Sequence, residues 1–125
     1  MSFVRRSRAL LMGAALTLVA AGGLAILPST TAQATAVVRG SGTHWTPVAT
    51  TIAHGGQVRW ASVSGTHQVK TYGGNWTFMS RRLSAGSTTL PRTFNARGTF
   101  RFYCTIHGAI VNGVCQGMCG RIVVT

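Results

Sequence analysis

The chain of 125 residues carries twelve Lys and Arg and no Asp or Glu, for a formal charge of +12. Without carboxylate side chains it cannot build a carboxylate-pair glycosidase site, a Ser-His-Asp triad, or an ordinary calcium or magnesium site. His, Cys, Met, Tyr, Lys and the backbone are what remains for chemistry.

Residues 1–36 read as a secretory signal peptide. Arg5, Arg6 and Arg8 precede an apolar run from Ala9 to about Leu27, and Ala34-Thr35-Ala36 forms a small-x-small cleavage site. The competing reading is an uncleaved anchor, because the apolar run is nearly long enough to span a bilayer. The small-residue site favours export, and Arg5-Arg6 leaves both Sec and twin-arginine routes open. Cleavage after Ala36 leaves residues 37–125, or 125 − 36 = 89 residues, as one domain. A domain of that size buries roughly 60–65% of its unfolded surface and gains from a disulfide or a metal. A secreted, periplasmic or cell-envelope location is where disulfides persist.

Setting aside Arg5, Arg6 and Arg8, nine of the twelve basic residues stay with the domain, with no acidic side chain to offset them. Such a field draws a protein towards an acidic partner protein or an anionic envelope surface. Its plainer use is solubility. No specific nucleic-acid partner is indicated, and a monomer is expected.

Short period-two runs broken by glycine then follow in chain order. Val48, Thr50 and Ile52 alternate ahead of Gly55-Gly56, and Val58 and Trp60 alternate with Gln57 and Arg59. His67, Val69 and Thr71 alternate with Gln68 and Lys70 up to Gly73-Gly74. Around Ser80 to Ala85 a helical turn is the only helical candidate. After Gly98, Phe100, Phe102 and Cys104 alternate with Thr99, Arg101 and Tyr103, and Ile122 and Val124 close the chain. Many short strands with such turn signals predict an all-β, antiparallel sandwich or barrel. Trp45, Trp60 and Trp76 read as packing residues, Met79 as a core gap-filler, and His44 and His54 as surface histidines. Arg81-Arg82 reads as a solvated patch.

Successive strand side chains face opposite sides. If Phe100 and Phe102 face the core, Cys104 does too. If Val69 does, so does His67. Met118 shares parity with Ile122 and Val124, with Gly120 leaving that parity open. Cys104 ending one strand, His107 in the following loop and His67 from another strand make a His2Cys set. With a weak axial methionine, such a set selects copper and suits electron transfer. The odd cysteine count allows one pair and one free thiol. Cys115 and Cys119 can pair around Met118 and leave Cys104 free. Alternatively, Cys104 pairs with either neighbour as a metal-free staple.

The chain resembles the cupredoxin family, the plastocyanin and azurin type of blue copper protein, over most of residues 45–125. "WTPVATTIAHGGQVRW" is similar to the family's aromatic-x-Pro strand followed by Gly-x-x-Val-x-Trp, and "GTHQVKTY" to the segment bearing its first histidine ligand. "LSAGSTTLPRTFNARGTFRFYCTIH" resembles the run that ends in Cys-x-x-His, and "GMCGRIVV" the Gly-Met-x-Gly end with its final strand. The resemblance implies a single-domain Greek-key β-sandwich holding one type 1 copper on His67, Cys104, His107 and Met118. It implies a carrier of single electrons, not an enzyme, that meets a redox partner protein and passes electrons at the His107 edge. The chain departs from the pattern by placing ten residues, Gly108 to Gly117, between the second histidine and the methionine. That leaves Met79, Gln116 or no axial ligand beside Met118 as readings of the axial position. A copper carrier with the same ligands, a Cys-His thiol enzyme, and a metal-free cationic sandwich that binds anionic polymers are the rival functions.

Overall fold

The computed structural model describes residues 22–27 and 33–125. The chain divides into two compact units, Met1–Thr30 and Thr31–Thr125. Of the first, the described residues 22–27 are exposed and irregular. The signal-peptide reading of residues 1–36 therefore falls mostly outside the described residues. Among the described residues no helix is long and apolar enough to cross a membrane.

The second unit is all-β. Its strands are β1 (Ala36–Ser41), β2 (His44–Thr46), β3 (Ala49–Ile52), β4 (Gln57–Ser64), β5 (Val69–Tyr72), β6 (Arg92–Thr93), β7 (Gly98–Val111) and β8 (Val114–Val124). They form two four-stranded sheets, ordered β2-β1-β4-β6 and β3-β8-β7-β5. The sheets are mixed and not purely antiparallel as expected, since β1 runs parallel to β4 and β3 parallel to β8. Strands paired in parallel cannot be joined by a tight hairpin, so the chain crosses between the sheets instead.

The period-two pattern places the core. Val38, Trp45, Val58 and Trp60 from one sheet are buried with Val69, Phe100, Phe102, Cys104, Met118, Ile122 and Val124 from the other. Burying a Val, Leu, Ile or Phe side chain contributes roughly 1.5–3 kcal/mol, so this shared interior is what holds two small sheets together. On β7 the alternation runs without fault up to Cys104, as expected, and His67 and Val69 are both fully buried.

Two local expectations are corrected. Ser80 to Ala85 forms no helical turn. This segment runs extended, with isolated bridges from His67 to Leu83 and from Lys70 to Met79. Leu83 is fully buried, and its backbone N–H and C=O both bond His67, at 2.7 and 2.9 Å. Closing the segment into a helix would sacrifice that anchor. Met79 is not a core gap-filler: it is 62% exposed. As the bridge partner of Lys70, which faces outward between the buried Val69 and the half-buried Thr71, it follows the solvent side of the sheet.

The ten residues from Gly108 to Gly117 are not an open loop. They continue the β7–β8 ladder as a hairpin, pairing Gly108 with Gly117, Ala109 with Gln116, Ile110 with Cys115 and Val111 with Val114. Its tip is Asn112-Gly113, both at positive φ (49° and 75°). A two-residue turn with both central residues left-handed matches the twist of the flanking strands, and Asn-Gly is its favoured sequence.

Candidate metal centre

The site lies where the β7–β8 ladder slips. Tyr103 pairs with Cys119 and Gly108 with Gly117, so four residues of β7, Cys104 to His107, stand opposite Met118 alone. Extra residues on one strand bend it and re-aim its side chains. Here the bend lets residues three apart present both side chains to one point, which a flat strand forbids.

Cys104 pairs with Val69 of β5 and is fully buried as a free thiol. Its Sγ lies 3.8 Å from His67 Nδ1 and 3.6 Å from His107 Nδ1. One ligand atom from each of His67, Cys104 and His107 falls within 4.8 Å of the others. The two imidazole rings are 5.2 Å apart, centroid to centroid.

The tautomer of His67 follows from its surroundings. Its Nε2 lies 2.8 Å from the Ser64 carbonyl oxygen, which can only accept, so Nε2 carries the hydrogen. In the neutral ring Nδ1 then holds the lone pair, aimed at the cysteine sulfur. Fixing one ring nitrogen by a hydrogen bond so that the other can bind is the usual support of a metal-bound histidine. The ring is also boxed in. A Cβ at Gly40 would lie 2.8 Å from His67 Cδ2 and 2.9 Å from Trp45 Cζ3, so only glycine lets β1 pass this close.

A second tie joins the two ligand segments. The Thr105 N–H donates to the Gln68 carbonyl at 3.0 Å, and its hydroxyl donates to Gln68 Oε1 at 2.8 Å. Gln68 Nε2 in turn donates to the Ser80 carbonyl at 2.9 Å. The residue after His67 is thereby bonded twice to the residue after Cys104. Gly40, Ser64, Gln68, Ser80 and Thr105 had no signal in a single sequence, because each acts through a contact across strands.

Met118 is 1% exposed, while Gln116 is exposed. Of the three candidates for the axial position, the structure thus buries only Met118, opposite the bulge. The glycines around it are required by crowding. A Cβ at Gly117, whose φ is +85°, would collide with the His107 carbonyl oxygen, and one at Gly108 would lie 3.0 Å from the Cys104 carbonyl oxygen. Cys115 and Cys119 form a disulfide with Cα atoms 6.1 Å apart. It brackets Met118 and excludes the alternative in which Cys104 is stapled to a neighbour.

The donor spacing fits a trigonal metal ion. Bonds of about 2.0 Å to nitrogen and about 2.3 Å to sulfur, spread by a third of a turn, put each nitrogen about 3.7 Å from the sulfur. The observed separations of 3.6 and 3.8 Å bracket that value. Two imidazoles, one thiolate and a buried thioether are a donor set that selects copper.

No protein-family model and no curated protein matches the sequence. Solved structures do. The fold is that of the cupredoxins. A purple cupredoxin from Nitrosopumilus maritimus superposes with a TM-score of 0.56 and 19% identity, covering 72% of this chain and 99% of that one. An oxidised variant of amicyanin gives a TM-score of 0.60 at 19% identity, over 77% of this chain and 87% of the other. A copper-containing nitrite reductase from Thermus scotoductus gives 0.59 at 21% identity, over 74% of this chain and 22% of that longer one. At such identities the likeness establishes the fold, and the set of His67, Cys104, His107 and Met118 within it fits a type 1 copper site.

Proposed function

We propose that this protein is an exported type 1 copper protein that carries single electrons between partner proteins. The observation that carries the reading is the convergence of His67 Nδ1 and His107 Nδ1 on Cys104 Sγ, at 3.8 and 3.6 Å. His67, Cys104 and His107 would hold the ion, with Met118 as a weak fourth donor. Copper held there supplies a one-electron Cu(II)/Cu(I) couple. The chain's own part is to keep the donors still. The Ser64 carbonyl holds the His67 tautomer, Gly40 and Trp45 fix its ring, and the Gln68–Thr105 tie fixes the distance between strands. A centre that moves little between oxidation states exchanges electrons quickly.

Cys104 is fully buried between two imidazoles, a position that serves a ligand better than a thiol nucleophile, which needs access. His107, only half-buried, is the route by which electrons reach a partner. The Cys115–Cys119 disulfide agrees with a secreted, periplasmic or envelope location. The partner is acidic, matching nine basic residues with no side-chain acid. Its association weakens steeply with salt, since the Debye length falls from about 30 Å at 0.01 M to about 10 Å at 0.1 M. A salt-independent association rate would contradict that reading.

Titration of the metal-free domain with Cu(II) tests the assignment. One equivalent produces an intense blue or purple colour from thiolate-to-copper charge transfer, and Cys104→Ser abolishes it. A colourless wild-type complex overturns the proposal.

A further inference from the structure

An unbroken file of aromatic rings crosses the core of the sandwich. The Trp45 ring lies 5.5 Å from that of His67, centroid to centroid, and Phe102 lies 5.7 Å from Trp45. Trp60 follows at 5.3 Å from Phe102. Trp76 is stacked 6.3 Å beyond Trp60 and lines an open surface pocket with Arg92, Phe94 and Phe100. The file therefore starts at a ligand and ends at the surface.

Two of its indoles are expensive as mere filling. Nε1 of Trp45 and Nε1 of Trp60 are buried with no hydrogen-bond partner among the protein's own atoms. Burying such a group without a partner is costly, and a buried orphan in a native fold needs a reason. Phenylalanine would fill much of the same space without the orphan. What indole adds is easy loss of one electron. An indole radical cation whose N–H has no acceptor keeps its proton, so its electron can be restored in a single step. Trp76 Nε1 donates to the Arg101 carbonyl at 3.0 Å, and a peptide oxygen is too weak a base to take that proton.

We propose that Trp76, Trp60 and Trp45 form an electron relay that lets the metal centre quench anionic one-electron oxidants arriving at the Arg92 pocket. The last step rests on the copper reading above, whereas the relay itself does not. The Arg92 guanidinium carbon lies 5.4 Å from the Trp76 ring centroid and 5.0 Å from that of Phe78. It attracts an anionic radical and disfavours positive charge on Trp76, which drives the vacancy inward. Trp76 gives one electron to the oxidant, which is reduced. Trp60 then restores Trp76 and Trp45 restores Trp60 through Phe102, so the vacancy stops beside His67, where a reduced metal ion held by the site would supply the one electron. No proton moves.

Brief exposure of the metal-free protein to photogenerated sulfate radical, followed by peptide mass spectrometry, tests the relay. Trp45, 1% exposed, is expected to carry oxidation products although the oxidant cannot touch it. Trp60→Phe should remove that labelling while leaving Trp76 labelled. Trp76→Phe, at a half-buried position where folding is safer, should remove it too. An unlabelled Trp45 in the wild type, or Trp45 labelled as strongly in either variant as in the wild type, overturns the relay. In the copper(I)-loaded protein, Trp45 labelling should drop as Cu(II) appears. Unchanged labelling there overturns the link to the metal, and a protein that takes up no copper at all exposes the copper reading as the part that failed.

Discussion

His67 and His107 present the same ring nitrogen to one sulfur, yet the chain holds them by different means. His67 sits two residues before β5, bridged to Leu83, in the body of the sandwich. Two backbone bonds to Leu83, one ring bond to Ser64 and the walls of Gly40 and Trp45 fix it, and it is fully buried. His107 lies in a four-residue bulge of β7, half-buried, beside a hairpin that extends past the sheet. On that flank a disulfide and two crowded glycines do the work that core packing does on the other. The difference teaches how one site can be rigid and still reachable: one ligand is locked by the interior, and the other is braced from outside it.

The comparison can be broken on the body side first. Trp45→Ala removes a fully buried ring from beside His67 and is expected to cost about 3–5 kcal/mol of stability, read from the denaturation midpoint of the metal-free protein. A loss under about 1 kcal/mol, small beside the usual cost of a core truncation, would mean that the interior does not fix His67. On the hairpin side, Gly117→Ala forces a side chain into a left-handed backbone position against the His107 carbonyl. The expected cost is about 1–3 kcal/mol, with a larger change in copper affinity than in stability. An unchanged copper affinity would separate the hairpin from the site.

The disulfide gives the smallest expected loss of fold. Replacing Cys115 and Cys119 by serine opens a ring so short that the chain-entropy model assigns it about 2 kcal/mol at most. The variant should stay folded and coloured, with a shifted spectrum or potential because Met118 is less firmly seated. A spectrum and potential identical to the wild type would show that the bracket around Met118 is not what positions the sulfur.

Much of the body was legible in the sequence. The alternation through Phe100, Phe102 and Cys104 is a regular strand paired on both sides, and in such a strand period two follows directly from the pleat. His67 and Val69 were legible for the same reason. The flank was less so. A register slip leaves no mark on hydrophobic alternation, because the residues inside it are placed by what they must meet across the gap. Asn112-Gly113 between Val111 and Val114 does carry a hairpin signal, which turns the ten residues from a loop into a ladder. Strand β2, three residues long, is too short for a pattern, and β1 begins where the signal-peptide reading ends. The extended run around Leu83 was hidden because its partner is a backbone sixteen residues away in sequence, as 83 − 67 gives. Met79 was misplaced because hydrophobicity alone does not say which face a bridge residue takes.

The central claim is that one thiolate and two imidazoles hold a copper ion in a trigonal plane. Electron paramagnetic resonance of the Cu(II)-loaded wild-type domain tests it most directly. The account predicts a single copper with the narrow parallel hyperfine splitting that strong thiolate covalency produces, lost in Cys104→Ser. A wide splitting typical of tetragonal copper, unchanged in Cys104→Ser, would contradict it.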